Sequence, residues 1–282
     1  MQHIDYIKEL DIKKNRVLNC LERIGGVEEP SQHLEGVYGL TGEYNDIKND
    51  PDVNRKIVRY RNKMQFPVGY DERTRLGFYA GRTHSLIPID DCIIGHEINR
   101  DIIKLVSEWA DKYGISVYDE KKGRGLLRHV LTRAAVRTGE LMICLVINGK
   151  ELPHSKELVD SLKELASEGN REPESYNSIH LASVVISINT KITNKILGDE
   201  TFLVYGREYI TDYIGDIAFQ ISAQSFYQVN PYQTEKLYGK ALEYAGLTGN
   251  ETVWDLYCGI GTISLFLAKN AGEVHGVEIV PQ

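Results

Sequence analysis

The chain has 282 residues, 42% of them apolar and 26% charged, with 40 acidic against 33 basic side chains and a formal net charge of −7. That balance excludes a disordered polyelectrolyte and predicts about two globular domains. No run approaches the ~18 apolar residues of a membrane span, and Met1-Gln2-His3-Ile4-Asp5 has neither the basic start nor the apolar run of a secretory signal, so a cytoplasmic protein with no membrane partner is expected.

In chain order, Ile7, Leu10, Val17, Leu18, Leu21 and Ile24 recur at helical spacing, and Gly25-Gly26 supplies a stop. Residues 27–54 carry Gly, Asn, Asp, Pro and Glu without a period and read as a long surface connection. Strand-like stretches at 77–79, 141–147, 183–188 and 202–205 alternate with helices at 97–113 and 155–168. Each helix has one apolar face, formed by Ile98, Ile102, Val106, Trp109 and Tyr113 in the first and by Leu158, Leu162, Leu165 and Ala166 in the second. Residues 169–178 read as a polar loop. Short strands with such helices predict an α+β domain in which the helices cover a sheet. A second domain is expected from 216 onwards: Asn230-Pro231 opens a helix that ends at Gly246, and strand, turn, helix and strand follow.

The turn in that second domain carries the chemistry. Asp255-Leu256-Tyr257-Cys258-Gly259-Ile260-Gly261-Thr262 follows a β-branched strand and opens an apolar helix, where glycines let backbone approach a nucleotide. Glu278 lies 23 residues after Asp255 at the end of the next strand, where a carboxylate can accept hydrogen bonds from both ribose hydroxyls. On these residues alone three readings stay open: S-adenosylmethionine, a nicotinamide or flavin dinucleotide, or a purely structural strand-turn-helix. Two glycines followed by Thr262, with Asp255 at the strand tip, suit the first best.

Ser222-Ala223-Gln224-Ser225-Phe226-Tyr227-Gln228-Val229-Asn230-Pro231, with Trp254 to Gly261 downstream, resembles the RNA 5-methyluridine methyltransferases, of the type acting on uracil in 23S ribosomal RNA. Upstream, Tyr60-Arg61-Asn62-Lys63-Met64-Gln65-Phe66-Pro67-Val68-Gly69, Gly125-Leu126-Leu127-Arg128-His129 and Asn189-Thr190-Lys191 resemble the same family in the same order. The resemblance implies an α/β fold: a central α+β RNA-engaging domain at 55–215, after an N-terminal helix and connection at 1–54, then the first part of a Rossmann-like class I methyltransferase domain at 216–282. It makes S-adenosyl-L-methionine the cofactor and Gln228, Tyr257, Thr262 and Glu278 its contacts, with Asp255, Gly259 and Gly261 shaping the turn. Thr262 departs from the Asn common there in the family, but still offers one hydroxyl.

Two basic clusters stand out in an acidic chain: Arg55, Lys56, Arg59, Arg61 and Lys63, and then Lys121, Lys122, Arg124, Arg128, Arg133 and Arg137. Taken alone they read as solvated faces. The resemblance turns Arg61, Lys63, Arg128, His129 and Arg133 into candidate RNA contacts, with 23S ribosomal RNA favoured over transfer RNA and a monomer expected.

The family's reaction uses a cysteine thiolate that adds to C6 of uracil and a carboxylate that removes the C5 proton. The resemblance places both beyond Gln282, so no catalytic residue is assigned within this chain, which is expected to be truncated at both ends and inactive alone. Cys258 sits inside the cofactor turn and is expected to pack. Cys92 matches the fourth ligand of a 4Fe-4S cluster found in many relatives and would serve only beside N-terminal cysteines of a longer parent, since Cys20, Cys92, Cys144 and Cys258 form no CxxC pair. The rival readings are a non-catalytic RNA-binding protein and a dinucleotide-dependent oxidoreductase.

Overall fold

A computed structural model describes residues 4–34, 36–40, 57–168 and 179–280. The expected polar loop at 169–178, most of the connection at 27–54, and Arg55 and Lys56 lie outside the described residues. The chain divides into two units, Met1–Arg59 and Tyr60–Gln282.

In the first unit, helix α1 (Tyr6–Arg23) starts where the Asp5 carboxylate accepts the N–H groups of Ile7 and Lys8 at 3.1 and 3.3 Å, satisfying donors that a helix start leaves open. Past its end, Gly26 takes a positive φ of 64°, as the glycine pair predicts. Only the N-terminal part of the apolar stripe is buried: Tyr6 and Leu10 pack with Ile7, Val37, Leu40 and Ile57, whereas Val17 and Ile24 are exposed.

The second unit is built on a seven-stranded sheet in the order β3-β2-β1-β4-β5-β6-β7. Its strands are β1 (Lys63–Asp71), β2 (Arg73–Tyr79), β3 (Leu86–Pro88), β4 (Leu127–Ala134), β5 (Glu140–Ile147), β6 (His180–Ile188) and β7 (Glu200–Gly206). Neighbours are antiparallel except β5 and β6, which run parallel because helix α3 (Ser155–Glu168) carries the chain back between them. Helix α2 (Ile98–Lys112) crosses between β3 and β4.

Side chains alternate along β5 with the period of two that a strand imposes. Leu141, Ile143, Leu145 and Ile147 join the core that contains Ile102, Val106 and Trp109 of α2 and Leu158 and Leu162 of α3. Met142, Cys144 and Val146 enter a second core on the opposite face with Ile210, Ile214, Phe219 and Ile221. Those four belong to the hairpin β8 (Tyr209–Ile214) and β9 (Ile217–Ser222), so the expected domain start at Asp216 falls in a hairpin turn. Tyr227 and Tyr238 close the same core. Helices lie on one face and the hairpin on the other, which is why β5 reads as an unbroken apolar run.

After the hairpin come helix α4 (Pro231–Ala245), strand β10 (Thr252–Leu256), helix α5 (Thr262–Leu267) and strand β11 (Glu273–Val277). β10 and β11 pair in parallel as a sheet of two. The mixed α/β architecture, with helices covering a large sheet, is the one expected.

Candidate cofactor site and nucleic-acid interface

The β10–α5 turn gathers the predicted cofactor residues around one point. Strand β10 ends when Tyr257 and Cys258 donate their N–H groups to the Val277 carbonyl at 2.8 and 3.0 Å, which ties the turn to the tip of β11. Three residues of the turn then take positive φ: Tyr257 at 67°, Gly259 at 58° and Gly261 at 77°. Glycine adopts this conformation freely, but an aromatic residue pays of order 1–3 kcal/mol for it. The Tyr257 ring stands in solvent, 85% exposed.

Glu278 closes the site from β11. One carboxylate oxygen accepts the Gly259 N–H and the other the Val280 N–H, each at 2.9 Å. Those bonds, Val280 first and Gly259 second, hold the carboxyl below its ordinary range, so the group is an anion at neutral pH. Each oxygen keeps lone-pair capacity for a further donor. Asp255 accepts the Ser264 hydroxyl, a partner that spacing did not single out. Thr262 shares a hydrogen bond of 2.8 Å with the Tyr238 hydroxyl and so joins α5 to α4. Cys258 turns inward: a Cβ placed on Gly276 would lie 3.0 Å from its sulfur.

Gln228 lies on the irregular segment between β9 and α4. Burial alternates there, with Phe226 73% exposed, Tyr227 buried and Gln228 half-buried. Asn230 ends the segment by capping α4, accepting the Gln233 N–H at 3.1 Å. The structure therefore brings Asp255, Tyr257, Gly259, Gly261, Thr262 and Glu278 to one turn and links the Gln228 segment to it through α4.

The basic clusters are divided by the fold. Lys121, Lys122 and Arg124 stand exposed on the turn before β4. Arg128, His129 and Arg133 do not: β4 is central and covered on both faces, leaving them 5%, 6% and 2% exposed. Arg128 donates to the Asn189 and Lys191 carbonyls at 2.6 and 3.0 Å and lies 4.2 Å from the Tyr118 ring centre. Arg133 donates to the carbonyls of Ala223, at 3.3 Å, and Ser225. All three side chains are internal, and both guanidinium groups hold backbone carbonyls. Burial, with Arg128 beside it, lowers the His129 pKa to about 4. Arg61 and Lys63 remain half-buried at the start of β1, where burial and then the Arg133 and Arg61 charges lower the Lys63 amine to about 8.

Cys92 is half-buried against the α2–α3 core, and the described residues hold no group of three or more His, Cys, Asp or Glu side chains placed to bind a metal. Burial raises the Cys144 thiol to about 12, which keeps it protonated.

No family model matches the chain. Curated proteins match it along its whole length. An uncharacterized RNA methyltransferase of Halalkalibacterium halodurans is 46% identical over 283 residues, covering 100% of this chain and 56% of the relative. Another of Clostridium tetani is 43% identical over 281 residues, covering 99% and 55%. A third, of Caldanaerobacter subterraneus subsp. tengcongensis, is 42% identical over 283 residues, covering 100% and 56%. The chain thus spans little more than half the length of these relatives. Among solved structures it resembles Pyrococcus abyssi tRNA (uracil-54, C5)-methyltransferase in complex with S-adenosyl-L-homocysteine, with a TM-score of 0.60 and 27% identity over 79% of this chain and 50% of that one. The resemblance to RNA methyltransferases first seen in separate motifs holds along the whole chain.

Proposed function

We propose that this chain belongs to an enzyme that transfers a methyl group from S-adenosylmethionine to C5 of uridine in RNA. The observation that carries the reading is the Glu278 carboxylate fixed beside the Gly259 turn, in a chain similar from end to end to RNA methyltransferases. S-adenosylmethionine, when bound, supplies an electrophilic methyl group. Glu278 accepts the ribose hydroxyls with the capacity its two backbone bonds leave, and the exposed Tyr257 ring lies against the adenine or the methionine chain. Gly259, with open space around its Cα, lets that cofactor close on the backbone. Gln228 reaches it from the β9–α4 segment.

RNA meets the exposed Lys121, Lys122 and Arg124 and the half-buried Arg61 and Lys63, which attract phosphates. Cys258, packed on β11, and Cys144, buried and held protonated, are not placed as the nucleophile. Ribosomal RNA is the substrate favoured by the central sequence blocks. Transfer RNA is the second reading, favoured by the substrate of the Pyrococcus abyssi neighbour.

The test incubates the full-length gene product with deuterated-methyl S-adenosylmethionine and either ribosomal or transfer RNA, followed by nucleoside mass spectrometry. Labelled 5-methyluridine in one RNA class is expected and selects that class. Label on another base, or stabilisation by NAD and not by S-adenosylhomocysteine, rules the reading out.

A further inference from the structure

Two buried polar side chains beside the β9–α4 segment have no place in the reading above, yet both hold that segment's backbone. Asn62, 7% exposed, donates its side-chain amide to the Gln228 carbonyl and its backbone N–H to the Val229 carbonyl, each at 3.0 Å. Its own carbonyl accepts the Ala134 N–H at 2.9 Å, which locks it to the end of β4. From β4, the Arg133 guanidinium spans the Ala223 and Ser225 carbonyls. Four carbonyls within seven residues of an irregular segment are therefore fixed by one residue of β4 and one immediately before β1. Among the described residues the segment pairs with no strand, so these bonds set where its backbone lies.

We infer that Asn62 and Arg133 are positioning residues that fix the Gln228 segment at the cofactor site, so that the central sheet sets the geometry of the methyl-donor pocket. This rests on the assignment of Gln228 as a cofactor contact. The arrangement suits such a role, since Tyr227 is anchored in the core below, the flanking carbonyls are clamped, and the Phe226 and Gln228 side chains are left to face a ligand. A buried donor that satisfies a buried carbonyl also cannot be removed without leaving that carbonyl unpaired, which gives the clamp its rigidity.

The experiment measures S-adenosylhomocysteine affinity by calorimetry and RNA affinity by filter binding in the full-length protein. The variants are Asn62→Leu, which keeps volume and removes the donor, and Arg133→Lys, which keeps the charge and reaches fewer carbonyls. Each is also made in a Gln228→Ala background, with thermal unfolding as a check on folding. The expected result is about tenfold weaker S-adenosylhomocysteine binding for Asn62→Leu, a smaller loss for Arg133→Lys, and RNA affinity within about twofold of the parent. In the Gln228→Ala background the further loss shrinks to about twofold, because the effect passes through that side chain. If Asn62→Leu does not fold, the Arg133→Lys cycle decides alone. Unchanged affinity for the cofactor product, an undiminished loss in the Gln228→Ala background, or a loss of RNA affinity instead would each overturn the inference while leaving the cofactor reading intact. A parent protein that binds no S-adenosylhomocysteine overturns both.

Discussion

Burial makes His129 a determinant of stability. It sits on the central strand, edge-on to Tyr79 at 6.5 Å, and its pKa falls from 6.5 to about 4. The unfolded chain therefore takes up a proton before the folded one as pH drops. Stability from this residue is whole above pH 6.5 and is lost as pH falls towards 4, by an amount on the order of 3 kcal/mol. Denaturant unfolding of the parent and of His129→Gln at pH 7 and pH 4 should show the parent losing more of its stability, by roughly that amount; parallel losses would contradict the shift. At this scale the sequence was legible where chemistry depends on spacing. The spacing placed Gly259, Gly261 and Glu278 at one turn between two strands, and the hydrogen bond from the Gly259 N–H to Glu278 has that arrangement. The burial of Arg128 and Arg133 was not legible in the charge cluster, because a local charge count carries no information about which strand becomes central. The flanking apolar pairs Leu126-Leu127, Val130-Leu131 and Ala134-Ala135 were the available signal that the whole segment is buried.

At the scale of elements, helices were read closely and strands less so. Helix α3 falls on its expected residues and α2 within one residue at each end, because each carries a 3.6-residue apolar stripe. Strands β1, β3, β4, β8 and β9 were not assigned, and of β2 only residues 77–79 were. β1 contains Pro67 beside polar Lys63 and Gln65, and its place is set by pairing with β2 and β4 rather than by its own pattern. Two close fits can be tested. Asn230→Ala removes the α4 cap and should lower stability by about 1 kcal/mol, read from the shift in denaturant midpoint. Gly198→Ala would place a Cβ 1.5 Å from the Ile188 carbonyl oxygen and force β7 off β6, at about 1–3 kcal/mol. A neutral result at Gly198 would mean that the two backbones approach each other less closely than this.

Across the molecule, stability is unevenly distributed. The seven-stranded sheet has a buried core on each face, whereas the two-stranded β10–β11 sheet leaves Trp254, Leu256 and Val277 exposed. A sheet of two strands with open edges is marginal by itself. Native-state hydrogen exchange on this chain should therefore show amides of β4, β5 and β6 opening only with global unfolding, and those of Val274 to Val277 opening at lower free energy. Global-level protection at β11 would contradict this. The proposed cofactor turn lies on the two-stranded sheet and the Gln228 segment is hydrogen-bonded to Asn62 and Arg133, so ligand binding at both would couple the two.

The most direct measurement is calorimetric titration of S-adenosylhomocysteine into the full-length parent protein and into its Glu278→Ala variant. Binding by the parent, weakened on the order of a hundredfold in the variant as a charged hydrogen-bond acceptor is lost, is the predicted result. Binding that is equally tight in both would show that the glycine turn between β10 and β11 is not the cofactor site.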